Sequence, residues 1–389
     1  MNLSFITGNY PSPKQPASGT FVRQFVEAMA QQGHQCTVIH PWKIHHWIRE
    51  CGTTKKQTRS SSLIKVYRPL LISLSNKRIA NFSTFELTHQ LFRHSVWRVL
   101  KRMNCKPDLL YGHFLYSAGE TAVWAGRRLN RPGVAGVGEG TFWSVEPLGI
   151  ERARRHYESA SGAMAVSSIL RDRLIDEIRI PKDRVAVFPN GVDLEKFYAQ
   201  DKKSIRRKYG LPLEVFLPIY VGNFIPSKGV NRFASAVANI QSTQGIFVGK
   251  GPARPNIPNI AFCDKVDHTK VPELMSAADC FVLVSDVEGS SNATLEAMAC
   301  GLPIITSNGA YMDDIVDDEV AIRVDPMDIG QIRDAIKLLK DKPNRRRRMS
   351  EACLSKSKLF DINERARRVT QWMEQIIAKH KCRFDAGFV

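Results

Sequence analysis

Lys228, Glu288 and Glu296 are the side chains whose types and spacing speak most directly to chemistry. Glu288 and Glu296 have seven residues between them and flank Gly289-Ser290-Ser291-Asn292, side chains small enough for a phosphate to approach the backbone. The run follows the apolar stretch Phe281 to Val284 and precedes Ala293, Leu295, Ala297, Met298 and Ala299. That order predicts a buried strand, a small-residue turn and a helix, with Asn292 as its cap and Gly301 as its stop. A helix opening at the carboxyl end of a strand offers unpaired N–H groups and the positive end of its dipole, which together favour an anion. Carboxylates beside such a site are poor phosphate ligands but good acceptors for hydroxyls, so Glu288 and Glu296 read as holders of a sugar and a ribose. The plainer alternative makes Glu288 a loop charge and Glu296 a surface residue that complements the dipole. Lys228 follows the strand-ending Gly222 by a few residues and precedes Gly229. A point charge there neutralises a diphosphate leaving group; a surface lysine is the alternative. The chain has no Asp-x-Asp, so a divalent cation bridging that diphosphate has no evident ligands. No metal and no other cofactor is expected.

The elements needed to hold these residues recur along the chain. At 389 residues the sequence exceeds what one core usually covers, which makes two domains the expectation. In the first, Leu3-Ser-Phe-Ile-Thr is a strand, and a loop to Gly19 follows. A helix from about Thr20 to Gly33 carries Phe21, Phe25, Val26 and Met29 on one stripe, and Cys36-Thr-Val-Ile-His40 is the next strand. This β–loop–α–β opening predicts a doubly wound α/β sheet, and the absence of G-x-G-x-x-G from the loop argues against a dinucleotide cofactor. His113 and Glu139 fall at the carboxyl ends of later strands, the lip where ligands enter such sheets. His113 is read equally as a hydrogen-bonded structural histidine. Pro189-Asn190-Gly191-Val192-Asp193 is a turn signal that separates residues 1–190 from a second βα pattern over 191–360. In the latter, Val215 to Val221 is a strand whose first half Pro218 makes irregular, and Gly249-Lys250-Gly251-Pro252 is a glycine-rich loop. A closing helix over 361–382, with Ala366, Val369, Trp372, Met373 and Ile376 at helical spacing, is expected to pack back on the first half.

Charge and cysteine usage narrow the setting. Fifty-six Lys and Arg against 38 Asp and Glu give a net charge of +18, which calls for an acidic partner or surface. Residues 41–60 are basic and contain His45, His46 and Trp47 beside His40 and Trp42. A metal cluster is one reading of them; an exposed amphipathic segment at a membrane interface is the other. Arg345-Arg-Arg-Arg348 is a solvated helix face or a contact for anionic lipid. Eight scattered cysteines without C-x-x-C argue against a zinc site or a disulfide framework and for a reducing compartment. Met1 leads straight into the first strand rather than into a signal peptide, and no apolar run approaches the ~20 residues of a membrane span. The expected location is cytoplasmic, peripheral on the inner face of the membrane.

The motifs resemble those of GT-B glycosyltransferases of the large retaining group called family 4. They are Glu288-x7-Glu296 with Glu-Ala-Met-Ala-Cys-Gly-Leu-Pro, Val221-Gly222-…-Lys228-Gly229, Val248-Gly249-Lys-Gly251-Pro252, Phe188-Pro-Asn-Gly-Val-Asp193 and Ser18-Gly19-Thr20. The resemblance implies two Rossmann-like domains facing a deep cleft, an acceptor-binding first domain and a nucleotide-sugar-binding second one. It implies transfer of a sugar to a glycan or polyprenyl-linked acceptor, with retention and without a metal, in bacterial surface polysaccharide assembly. Lys228 would contact the diphosphate, Glu288 the donor sugar, the backbone of Gly289, Ser290 and Ser291 the sugar and phosphate, and Glu296 the ribose. Gly19 would let the first loop approach the diphosphate, and Asn223, Gly251 and Asn292 complete the expected donor site. Two positions depart from the family: Asn223 stands where an Arg is common, and Glu139 where a His is common. Glu139 and His113 are therefore candidates for the reacting centre. A GT-B epimerase or phosphorylase is the nearest alternative. A nucleic-acid-binding protein would account for the charge, but the basic residues are dispersed and no such motif is visible, so no nucleic acid is expected.

Overall fold

Short apolar runs separated by amphipathic helices build two parallel sheets in the computed structural model. The structure describes residues 1–12, 15–16, 18–44, 63–74, 78–79, 82–142 and 144–385. The chain divides into two units, Met1–Phe188 together with Arg365–Val389, and Pro189–Glu364.

The first unit holds a seven-stranded sheet. Its order is Val185–Val187, Gly162–Ala165, Gly133–Val137, Leu109–His113, Asn2–Ile6, Gln35–Ile39 and Ile64–Tyr67, every pairing being parallel. Strands covered on both faces must be apolar throughout, and Gly133–Val137 and Gly162–Ala165 are buried at every residue. The helix Thr20–Gln31 buries Val22, Phe25, Val26 and Met29. Val22 thus takes the place expected for Phe21, whose ring instead lies 5.2 Å from that of His113. The closing helix Ile362–Asp385 belongs to this unit from Arg365 onward. It buries Ala366, Val369, Met373 and Ile376. Gly162 makes this packing feasible, since a Cβ there would lie 2.8 Å from Ile376 Cδ1 and 3.0 Å from the Trp372 ring.

The second unit holds a six-stranded parallel sheet. Its order is Ile260–Asp264, Gly245–Val248, Pro218–Val221, Cys280–Leu283, Ile304–Ser307 and Ala321–Val324. Pro218 opens its strand, so the missing N–H falls where the ladder starts and Val215 to Leu217 stay outside it. A buried latch secures that entry. Arg206, 3 % exposed, donates to the carbonyls of Ala277, Leu213 and Val215 and to Asp279 Oδ2 at 2.8 Å, and Asp279 Oδ2 also accepts from Leu217 N.

In both sheets the order in which the strands are laid down reverses beside the first strand of their unit. In the first the neighbours are Asn2–Ile6 and Leu109–His113; in the second they are Pro218–Val221 and Cys280–Leu283. Loops leaving such a pair diverge to opposite faces and leave a crevice at the carboxyl ends, where ligands of open α/β sheets bind.

Candidate functional site

In the second unit the two loops at this reversal carry Lys228 and Glu288. Lys228 lies in the single turn Pro226–Lys228, and Gly229 then adopts φ 72° before the helix Val230–Ala238. Only glycine fits there: a Cβ would lie 2.2 Å from the Val284 carbonyl, on the neighbouring loop. Asp286 N donates to Ser227 O at 2.8 Å, and Arg232 Nη2 donates to Val284 O at 2.8 Å. The two loops are thus stitched together, and their side chains meet. Lys228 Nζ donates to Glu288 Oε1 at 2.6 Å, and Ser285 Oγ donates to the same oxygen at 2.8 Å.

The helix that follows, Asn292–Ala299, is capped by Ser291 rather than by the expected Asn292. Ser291 Oγ accepts from Thr294 N at 3.3 Å and from Thr294 Oγ1 at 2.9 Å. Ser291 is 4 % exposed, and its Oγ accepts in both of these bonds. Ser290 is clamped from a distant loop: Asn190 N donates to Ser290 Oγ at 3.2 Å and Asn190 Nδ2 to Ser290 O at 3.1 Å. Glu296 is 9 % exposed, and its Oε1 lies 3.1 Å from His268 Nε2. His268 went unnoticed in the sequence because it sits 28 residues away, in the turn after another strand.

Two further expected donor-site positions line the adjoining strand ends. Gly251 has φ 152°, and a Cβ on it would lie 2.3 Å from Phe224 O; one on Gly249 would lie 1.9 Å from Gly222 O. These glycines let the two loops press together. Asn223 is exposed, and its carbonyl accepts from Tyr220 OH at 2.7 Å.

The remaining candidates belong to the first unit. Gly19 has φ 66° and closes on its own loop, where a Cβ would lie 2.5 Å from Asn9 O. Its lack of a side chain is thus already required by the fold. His113 ends its strand with Nδ1 3.2 Å from Tyr111 OH, its ring 4.5 Å from that of Phe114. Burial, reinforced by the Arg365 charge, pushes its pKa down to about 3, so the imidazole is neutral at neutral pH. It lines a cavity of about 390 Å³ shared with Tyr10, His40, Trp42, Phe85 and Tyr116. Glu139 is not among the residues lining that cavity. It is 5 % exposed, and its Oε1 accepts from Leu115 N at 3.2 Å and Ser144 Oγ at 3.0 Å. Its Oε2 has no partner among the described residues. Burial outweighs these hydrogen bonds and raises its carboxyl to about 7.

Other sequence readings resolve differently. Trp42 is buried and donates from Nε1 to His40 Nδ1 at 3.2 Å, which leaves His40 Nε2 to donate to Gly8 O at 3.1 Å. Both are therefore structural groups of the first unit, not part of an exposed interface. His45, His46 and Trp47 lie outside the described residues. Arg346 is withdrawn from the solvated face: it bonds the carbonyls of Leu339 and Lys340 and lies over the Phe216 ring, whereas Arg345, Arg347 and Arg348 are exposed. Among the described residues there is no group of three or more His, Cys, Asp or Glu that could hold a metal ion, and no helix long and apolar enough to cross a membrane.

Two doubly wound parallel sheets, the second carrying a lysine and a carboxylate at its strand reversal, define the GT-B class of α/β protein. The model for glycosyltransferase family 4 matches residues 18–196, and that for glycosyl transferases group 1 matches residues 201–354. The chain belongs to this group 1/family 4 type of glycosyltransferase. It is 27 % identical over 349 residues to a Bacillus subtilis (strain 168) protein named as a teichuronic acid biosynthesis glycosyltransferase, TuaC, the match covering 86 % of this chain and 88 % of that protein. It is 32 % identical over 152 residues to the UDP-Gal:alpha-D-GlcNAc-diphosphoundecaprenol alpha-1,3-galactosyltransferase of Escherichia coli, covering 34 % of this chain and 39 % of that protein. In fold it is similar to sucrose-phosphate synthase from Thermosynechococcus elongatus, with TM-score 0.78 and 19 % identity over 97 % of this chain and 100 % of that one.

Proposed function

We propose that this glycosyltransferase moves a sugar from a nucleotide diphosphate sugar to a glycan or polyprenyl-linked acceptor, with retention at the anomeric carbon and without a metal, in the assembly of a surface polysaccharide. The observation that carries the reading is the meeting of Lys228 and Glu288 at 2.6 Å beside the start of the Asn292–Ala299 helix. A departing diphosphate needs positive charge at the moment the glycosidic bond breaks, and a fixed ammonium with a helix start supplies it without reorganisation. Glu288, immediately before the turn, is placed to receive a hydroxyl of the same donor. In a front-face displacement the bond from the anomeric carbon to the leaving oxygen breaks first. That oxygen then takes the proton of the acceptor hydroxyl as it attacks from the same side. The protein supplies position and electrostatics rather than a nucleophile.

The acceptor assignment is supported by the names of the relatives, which concern teichuronic acid and a sugar on diphosphoundecaprenol. The cavity beside His113, lined by aromatic rings and hydroxyls, suits a pyranose ring, and the net charge of +18 suits an anionic membrane surface at the cytoplasmic face. The test combines a thermal-shift panel of nucleotides and nucleotide-sugars with NMR of the product formed in excess chelator. A stabilising donor and an anomeric configuration matching that donor are expected. No stabilisation by any nucleotide, or an inverted product, refutes the reading. Flotation with anionic and neutral vesicles tests the membrane component, and equal partitioning to both removes it.

A further inference from the structure

Glu296 does not stand alone in the second unit. Its helix begins after the strand Cys280–Leu283, whereas His268 stands in the one-turn helix His268–Lys270, which follows the strand Ile260–Asp264 and leads into the helix Val271–Ala277. Asp267 fixes that turn, its Oδ1 accepting from Thr269 N at 2.9 Å and from Thr269 Oγ1 at 2.8 Å. The imidazole is steered on a second side by Phe197, whose ring centroid is 5.4 Å away in an edge arrangement. Phe197 is itself 1 % exposed and held by a bond from its N to Asp193 O at 2.8 Å. Two independently anchored elements therefore bring Nε2 to within 3.1 Å of Glu296 Oε1.

The exposure of the two partners is unequal. The Glu296 side chain is 12 % exposed and that of His268 41 %. A carboxylate with so little solvent has few ways of satisfying its lone pairs, and its rotamer is set by whichever donor reaches it. Ionised Glu296 only accepts, so Nε2 carries the hydrogen in this contact. Oε1 is thereby engaged by the protein, and the accepting capacity of Oε2 is what the carboxylate can offer a ligand.

We infer that His268 is a positioning residue for the donor site: it holds the Glu296 carboxylate in the orientation that receives ribose hydroxyls, and so sets the preference for a ribonucleotide over its deoxy counterpart. The inference rests on the assignment of a nucleotide-sugar donor made above. Without His268 the carboxylate turns among rotamers, and the binding of a 2′-hydroxyl loses its geometric advantage while the diphosphate contacts at Lys228 persist.

The experiment measures, on the full chain, binding of a ribonucleoside diphosphate and its 2′-deoxy analogue to wild type, His268→Ala and His268→Gln, together with KM and kcat for the corresponding nucleotide-sugar. Gln returns an N–H donor near the position of Nε2, which a bulk packing role would not require. The expected result is a wild-type preference for the ribonucleotide that falls about tenfold in His268→Ala, equivalent to about 1.4 kcal/mol. A raised KM with little change in kcat, and recovery of most of the preference in His268→Gln, complete the expectation. A folded His268→Ala enzyme that binds nucleotide yet keeps the wild-type ribose preference overturns the inference and leaves the donor assignment standing. Absence of nucleotide binding by wild type overturns both.

Discussion

Glu288→Gln should separate two properties that a single binding site usually ties together. Glu288 Oε1 accepts from Lys228 Nζ at 2.6 Å, with the two side chains 13 % and 28 % exposed. A nucleoside diphosphate must draw the ammonium out of this pairing or share it. A partly exposed ion pair is worth about 0.5–1 kcal/mol, so removing the carboxylate's charge should tighten nucleoside diphosphate binding about two- to fivefold. Relief of the repulsion between this carboxylate and the diphosphate acts in the same direction, so about two- to fivefold is the least gain expected. Lys228→Ala should do the opposite. It removes a charge-assisted hydrogen bond of about 1.5–3 kcal/mol and leaves Glu288 facing the diphosphate, so affinity should fall by about tenfold to two-hundredfold or more. Sugar transfer should fall in both variants, because the amide at 288 offers one acceptor oxygen where the carboxylate offered two to the donor's hydroxyls. Titration calorimetry with the nucleoside diphosphate, set beside product formation from the nucleotide-sugar, reads both properties. The reasoning is refuted if Glu288→Gln weakens diphosphate binding as much as Lys228→Ala does.

Three further outcomes follow from the geometry. The folded-state pKa of Glu139 is raised from 4.5 to about 7, so between those values the native chain keeps a proton that the unfolded chain has released. The resulting stability is full below about pH 4.5 and lost as pH rises through about 7. The melting temperature of wild type relative to Glu139→Gln should therefore fall between pH 5 and pH 8, by the equivalent of up to about 3 kcal/mol. Gly229→Ala should cost about 2 kcal/mol or more, because φ is 72° and the new Cβ meets Val284 O at 2.2 Å; nucleotide affinity should drop as well although Lys228 is retained. Arg206→Met should destabilise the second unit by about 3 kcal/mol, or roughly 10 °C in melting temperature, by removing the donor from four carbonyls and leaving Asp279 to Lys202, whose side chain is more exposed.

What the sequence disclosed and what it hid divide along a physical line. Phe281 to Val284 can be read as a doubly covered strand, observed over Cys280–Leu283, because burial on both faces demands apolar residues at every position, and Gly229 can be read as part of a turn, which the fold makes left-handed. Both signals are local. The contact between Asn190 and Ser290 spans 100 residues, and that between Lys228 and Glu288 spans 60; their types are complementary, but nothing local fixes the pairing. Glu139 marks the limit most clearly. Its place at a strand end was legible, whereas its burial and raised pKa depend on Leu115 and Ser144, which the fold brings to it. The helix cap is Ser291 rather than the expected Asn292, a shift of one residue that the sequence of two adjacent capping types does not decide.

The excess charge of the chain and the charge of its candidate site are separate matters. Within the second unit Lys228 is matched by Glu288, Arg232 by Asp286, and Arg206 with Lys202 by Asp279, so each cation named here already has a carboxylate beside it. Exposed charges such as Arg345, Arg347 and Arg348 act over about 8 Å at physiological ionic strength, which suits a broad anionic surface better than one phosphate. On the proposed function, selectivity for a diphosphate then comes from backbone arrangement. The bond from Asp286 N to Ser227 O holds the Lys228 turn against the loop that carries Glu288, and Asn190 holds Ser290 at the mouth of the helix. A group held by several short bonds needs little further ordering when its ligand arrives. On the proposed function, this holds the lysine and the helix start ready for the bond-breaking step even though the lysine is paired with Glu288.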